Sequence, residues 1–128
     1  MKIEHLAIWV SDLEAMRTFY EHYFKAKAGQ QYHNPKKNFT SYFLRFSEGA
    51  RLELMQKPEI LALQNQIEEH LGIIHFAISV GSKEKVNQLT LELKNDGFTI
   101  AGAPRTTGDG YYESVVLDPE GNRIEITI

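Results

Sequence analysis

IEHLAIWVSDLEAM (residues 3–16) returns as IIHFAISVGSKEKV (residues 73–86), with Ile, His, Ala, Ile, Val and Glu in register at an offset of 70 residues. Self-similarity of this kind signals a duplicated structural unit. Residues 3–10 alternate and are rich in β-branched and aromatic side chains, the pattern of a strand. Ser11 followed by Glu14 is a capping-box signature. Leu13, Met16, Phe19, Tyr20, Tyr23 and Phe24 then recur at helical spacing. The second copy has the same order, a strand over residues 73–80 and then a helix. That helix has Ser82 as its N-cap, carries Val86, Leu89 and Leu93, and stops at Gly97.

A second pair of segments closes each copy. SEGARLELMQ (residues 47–56) matches PEGNRIEITI (residues 119–128) at Glu, Gly, Arg and Glu, an offset of 72. In the first half, residues 40–46 and 51–55 are predicted strands, with a shorter strand signal within 27–33. In the second half, residues 98–100, 111–117 and 123–128 are predicted strands, and AGAPRTTGDG (residues 101–110) is a predicted loop. Pro58 in a first turn and Gly72 just past the end mark a helix over residues 58–71. The expected fold is therefore α+β and a single domain over residues 1–128. Two tandem βαβββ modules, 1–56 and 73–128, are joined by a connecting helix within 57–72. Their strands form a curled mixed sheet around an internal cleft.

The 128 residues are enough to bury a real core. With 42% hydrophobic and 24% charged residues, the composition is that of an ordinary globular domain. The net charge of −3 comes with no basic block, so neither nucleic acid nor an anionic membrane is an expected partner. No stretch approaches the ~18 apolar residues of a membrane span. MKIEHLAIWVSDLE lacks the pattern of a signal peptide, which makes the cytoplasm the expected location. The absence of cysteine excludes disulfides, thiolate metal sites and a cysteine nucleophile. Any metal must be held by His, Asp, Glu or backbone oxygen.

Side chains alternate between the two faces of a strand. Leu6, Ile8 and Val10 share one face, and His5 lies on the other with Ala7 and Trp9. Leu52 and Leu54 oppose Glu53; Ile74, Phe76 and Ile78 oppose His75; Ile124, Ile126 and Ile128 oppose Glu125. The apolar faces should pack on helices, which leaves two His and two Glu facing a cleft. Such a set suits one borderline divalent cation per site, Zn²⁺, Ni²⁺, Co²⁺, Fe²⁺ or Mn²⁺. With four protein ligands, an octahedral ion keeps two positions for vicinal substrate oxygens and can support an enediolate. A carboxylate can then take a proton from carbon. His22, His33 and His70 fall on a helix, in a loop and at a helix end, away from this pattern.

The repeated H-x-A-I-x-V strands, the D-L-E helix start and DPEGNRIE at residues 118–125 resemble the glyoxalase/bleomycin-resistance/dioxygenase (vicinal oxygen chelate) superfamily over essentially the whole chain. The resemblance to glyoxalase I implies a metal tetrad of His5, Glu53, His75 and Glu125. Glu125 would be the leading base and Glu53 its partner in proton transfer. It also implies a small-molecule substrate and a C2 homodimer, with His5 and Glu53 from one chain meeting His75 and Glu125 of the other or, alternatively, all four standing within one chain. Two departures bear on the substrate. Trp9 stands where the bacterial enzymes commonly carry an arginine for glutathione, and Lys57 where they commonly carry an asparagine.

The implied activity is that of a metal-dependent lyase or isomerase not strictly dependent on glutathione. The alternatives are a drug- or metabolite-binding protein without catalysis and a ring-cleaving dioxygenase. A fosfomycin thiol transferase is a further alternative. The last two classes tend to use only two His and one carboxylate. Trp9, Tyr42, Arg105 and Tyr112 are the candidate substrate contacts, the last two carried by PRTTGDGYYE (residues 104–113).

Overall fold

A computed structural model describes residues 1–61 and 71–128. The chain divides into two compact units, Met1–Leu63 and Gln64–Ile128. The first contains β1 (His5–Trp9), α1 (Leu13–Phe24), β2 (Lys27–Ala28), β3 (Tyr32–Asn34), β4 (Phe39–Arg45) and β5 (Arg51–Gln56). The second contains β6 (Phe76–Ser79), α2 (Lys83–Asn95), β7 (Ile100–Thr106), β8 (Tyr112–Leu117) and β9 (Arg123–Thr127).

Each unit has its own mixed sheet, and the strand orders are the same. The first runs β1-β5-β4-β2, with β3 also paired to β4; the second runs β6-β9-β8-β7. In each, the opening strand lies parallel to the closing strand, and the remaining pairs are antiparallel. This is the βαβββ module, present twice.

The helices cover one face of each sheet because their apolar residues recur at helical spacing. Helix α1 buries Leu13, Met16, Phe19, Tyr20 and Phe24, and the first sheet contributes Leu44, Leu52 and Leu54 to that core. Helix α2 buries Val86, Thr90 and Leu93, alongside Val116, Ile124 and Ile126. The polar groups in the second core pair with each other: Thr90 Oγ1 and Ser114 Oγ lie 2.6 Å apart, and Thr90 also donates to the Val86 carbonyl.

The turns that deliver β5 and β9 repeat in backbone geometry. Gly49 and Gly121 both sit at φ +86°, a left-handed conformation that side chains with a Cβ rarely adopt. In the second module the turn is additionally built on Asp118. Its buried carboxylate accepts from the backbone N–H groups of Glu120 and Asn122 and from Asn122 Nδ2. Phe46 holds the matching place in the first module, so this device belongs to the DPEGNRIE segment alone.

Three expectations need amendment. The cap of α1 is Asp12, not Ser11. The Asp12 side chain accepts from Ala15 N–H at 2.9 Å, and Glu14 turns instead to Arg17 and Tyr42. The predicted loop over residues 101–110 is strand as far as Thr106. Gly102 and Pro104 suggested a break, but β7 is the edge strand. Its pairing to β8 shifts register on both sides of Gly102, so a missing N–H is tolerated. A Cβ on Gly102 would meet Val115 at 3.3 Å, which gives that glycine a packing reason. The helix expected over 58–71 falls largely on residues 62–70, outside the described residues. Its expected start is a turn, closed by Ile60 N–H on the Lys57 carbonyl.

Leu54 and Ile126 occupy matching places on β5 and β9, and both are fully buried. Truncating either to alanine removes buried methyl groups and leaves a cavity, so Leu54→Ala and Ile126→Ala should each cost about 2–5 kcal/mol. Urea denaturation of each variant measures this, and a loss below about 1 kcal/mol would count against the assigned cores.

Candidate functional site

The parallel pairing of β1 with β5 sets Ala7 opposite Glu53, and that of β6 with β9 sets Ala77 opposite Glu125. In each module the histidine comes two residues before that alanine and so shares its face. The small alanine leaves the space beside each glutamate open. On this side, away from the helix, His5 Nε2 faces Glu53 Oε2 at 3.9 Å, and His75 Nε2 faces Glu125 Oε2 at 3.3 Å. The imidazoles are 40% and 42% exposed and the carboxylates only 13% and 17%. Each module thus presents one nitrogen and one oxygen donor together, with the carboxylate set deeper.

The four expected ligands are brought together as these two pairs. Among the described residues no group of three or more His, Cys, Asp or Glu side chains is gathered as for a metal ion. The pairs differ in what stands behind them. In the first, Glu4 Oε2 meets His5 Nδ1 at 2.6 Å, and Glu4 Oε1 pairs with Arg51 at 2.5 Å. Those two partners hold the exposed Glu4 carboxyl down at about 2, with the Arg51 hydrogen bond the larger cause. The Arg51 guanidinium lies over the Phe43 ring at 4.1 Å, and Phe43 meets His5 edge to face at 5.3 Å.

In the second pair the support acts on the glutamate. Glu113, buried on β8, shares a hydrogen bond with Glu125 and is itself 3.6 Å from Arg105, its cross-strand neighbour on β7. Glu125 is pushed above the ordinary carboxylate range, first by burial and then by the charge and hydrogen bond of Glu113, with His75 opposing. The matching place in the first module holds Ser41, whose buried hydroxyl has no partner among the described residues.

The four candidate substrate contacts separate by face. Trp9 lies on the His5 face, half exposed, edge-on to Phe39 at 6.4 Å, and Phe39 in turn meets Tyr32 at 5.9 Å. Arg105 stands with Glu113 beside the second pair. Tyr42 belongs to the other face: it is directly opposite Leu54, its hydroxyl donates to Glu14 of α1 at 2.9 Å, and Arg17 lies over its ring. Tyr112 likewise donates to Asn87 of α2 and lies under Lys83. Neither tyrosine is brought to its module's His–Glu pair, because each sits one residue out of phase with it along its strand. Glu4, Phe43 and Glu113 were missed. Glu113 had a signal in the sequence, since at the offset of 72 it replaces Ser41 by an acid on the glutamate's face.

The sequence profile of the Glyoxalase/Bleomycin resistance protein/Dioxygenase superfamily matches residues 2–126. The chain belongs to that superfamily. This glyoxalase-superfamily chain is 27% identical over 127 residues to the uncharacterized protein YqjT of Bacillus subtilis (strain 168), covering 97% of this chain and 96% of the relative. A possible glyoxalase from Bacillus cereus is 28% identical with a TM-score of 0.74, over 100% of this chain and 99% of that one. The V278E mutant of glyoxalase I from Zea mays superposes with a TM-score of 0.76 at 23% identity, a likeness of fold. It covers 98% of this chain but 44% of the maize chain, so the present chain spans under half the maize enzyme's length.

The raised Glu125 has a measurable consequence. A carboxyl whose folded-state pKa exceeds its unfolded value binds its proton more tightly when folded. It therefore contributes stability that is fully present below the unfolded value and lost as pH rises through the folded one. In metal-free protein, thermal melts of wild type and Glu125→Gln should accordingly diverge with pH. The wild type should lose stability relative to the variant as pH rises from below 4.5, the ordinary value, through the raised one. Parallel profiles would show that Glu125 is not held in this way.

Proposed function

We propose that the protein is a metal-dependent lyase or isomerase of glyoxalase I type, acting on a small oxygenated substrate through an enediolate. The observation that carries this reading is the pair of His–Glu sets at duplicated positions, each on the face its helix leaves open. The donor set fits a borderline divalent cation: two imidazole nitrogens and two carboxylates, with His5 backed by a carboxylate at Nδ1 as ligating histidines commonly are. His5, Glu53, His75 and Glu125 would hold the ion, one per site. When bound, it would polarise neighbouring oxygens on the substrate.

The chain's own contribution is proton handling. Glu125, made more basic than an ordinary carboxylate by burial and by Glu113, takes a proton from a carbon next to a carbonyl. Glu53, protonated from solvent, returns a proton at the adjacent carbon, and Glu125 gives its proton back to solvent. One proton leaves and one is restored, so the conversion is an isomerisation and needs no oxidant. Trp9 and Arg105, which lie on the faces of the two pairs, contact the substrate. Trp9 replaces a charged glutathione contact with an aromatic surface, which supports activity not strictly tied to glutathione.

Metal reconstitution followed by an activity screen tests the reading. The screen takes α-ketoaldehyde hemithioacetals of several thiols, an epimerase substrate and a catechol. Wild type should bind one divalent ion per tetrad and turn over a hemithioacetal or epimerase substrate. His5→Ala and His75→Ala should lose metal while remaining folded, because the apolar cores are untouched. Metal-free ligand capture without turnover would favour a binding protein, and catechol cleavage a dioxygenase. High turnover of the glutathione–methylglyoxal adduct would overturn the thiol assignment.

Each module supplies only half the ligands, and the superfamily likeness supports a C2 homodimer in which His5 and Glu53 of one chain meet His75 and Glu125 of the other. Light scattering should give twice the 14.7 kDa chain mass. Mixing His5→Ala chains with Glu125→Ala chains should regenerate metal binding, since one site of each mixed dimer is then intact. Sites formed within one chain could not be rescued this way.

A further inference from the structure

The two histidines stand in duplicated positions but are not held alike. His5 has Glu4 on its Nδ1 at 2.6 Å, Arg51 fixing that carboxylate from behind, and Phe43 edge-on to its ring. The matching places in the second module hold Ile74, Arg123 and Val115. The arginine is kept, while the carboxylate and the aromatic ring are replaced by aliphatic side chains. The spacing to the glutamates differs as well. His75 Nε2 lies 3.3 Å from Glu125 Oε2, whereas His5 Nε2 stands off from Glu53 Oε2 at 3.9 Å, beyond hydrogen-bond range.

A neutral imidazole carries one N–H, and the nitrogen that bears it is set by the partner of the other. An ionised carboxylate can only accept, so the nitrogen facing Glu4 must donate. That leaves Nε2, the atom turned to Glu53, with its lone pair free. At His75 the Glu125 carboxylate lies on the Nε2 side at 3.3 Å, which favours the proton on the nitrogen a metal would need.

We propose that Glu4, braced by Arg51, is a positioning residue that fixes His5 as the Nδ1–H form, making the first module's pair the pre-set anchor for the divalent cation. Among the described residues His75 has no such device, and it changes form on binding. The inference rests on the metal reading above, but the arrangement it describes exists before any ion arrives. Glu4 itself contacts neither ion nor substrate.

Long-range ¹⁵N–¹H spectra of metal-free protein in mildly alkaline buffer read the two rings directly. His5 should carry its proton on Nδ1 and His75 on Nε2. Glu4→Ile, which copies the second module and alters an exposed side chain, should move the His5 proton to Nε2. It should also weaken Zn²⁺ and Ni²⁺ binding about 10- to 100-fold in competition with a chromophoric chelator. Glu4→Gln keeps an acceptor for Nδ1–H and should retain the wild-type form of His5 and most of the affinity. A wild-type His5 protonated on Nε2, or a Glu4→Ile protein that binds both ions as tightly as wild type, would overturn the inference. A wild type that binds neither ion would overturn the metal reading and the inference with it, an outcome distinct from equal binding by both proteins.

Discussion

Alternation along a pair of neighbouring parallel strands governs this protein. Because β1 runs beside β5, and β6 beside β9, residues opposite one another share a face. Leu6 with Leu52 and Ile8 with Leu54 line the helix side of the first sheet, so His5, Ala7 and Glu53 must line the other. The hydrophobic requirement to cover one face thereby delivers a nitrogen and an oxygen donor, side by side, on the face left open. A slip of one residue in either strand would bury the glutamate and expose the core. Stability and the placement of the His–Glu pair therefore depend on the same register.

Duplication repeats that solution, and divergence gives its two copies different electrostatics. The first surrounds its histidine with Glu4, Arg51 and Phe43, all reachable from solvent. The second places a buried acid, Glu113, against its glutamate and a cation, Arg105, behind that acid. A carboxylate beside a histidine stabilises a donor on the ring. A carboxyl beside a carboxyl, with both side chains mostly buried, makes the charged form costly. Similar backbones thus carry one pair whose histidine is backed by a carboxylate and another whose glutamate is held above the ordinary carboxylate range.

The helix faces diverged in parallel. Where the first module sets Tyr42 against Glu14, the second sets Ser114 against Thr90, the former at a solvent-reached edge and the latter in the core. Both satisfy a polar group at the helix–sheet junction, so neither tyrosine nor serine at that place is available to the open face.

Periodicity and repetition in the sequence determined the modules, their helices, the cores and the placement of His5, Glu53, His75 and Glu125, because a side chain's face follows from the parity of its position in a strand. Local signals were weaker where two residues competed for one role, as Ser11 and Asp12 did for the cap. They also failed where an edge strand tolerated breakers, as β7 did at Gly102 and Pro104. What only the tertiary structure decided is the company each residue keeps across strands. Glu113 beside Glu125, Arg51 behind Glu4, and Tyr42 and Tyr112 turned to the helices all follow from register and packing between segments distant in sequence. No local pattern encodes those.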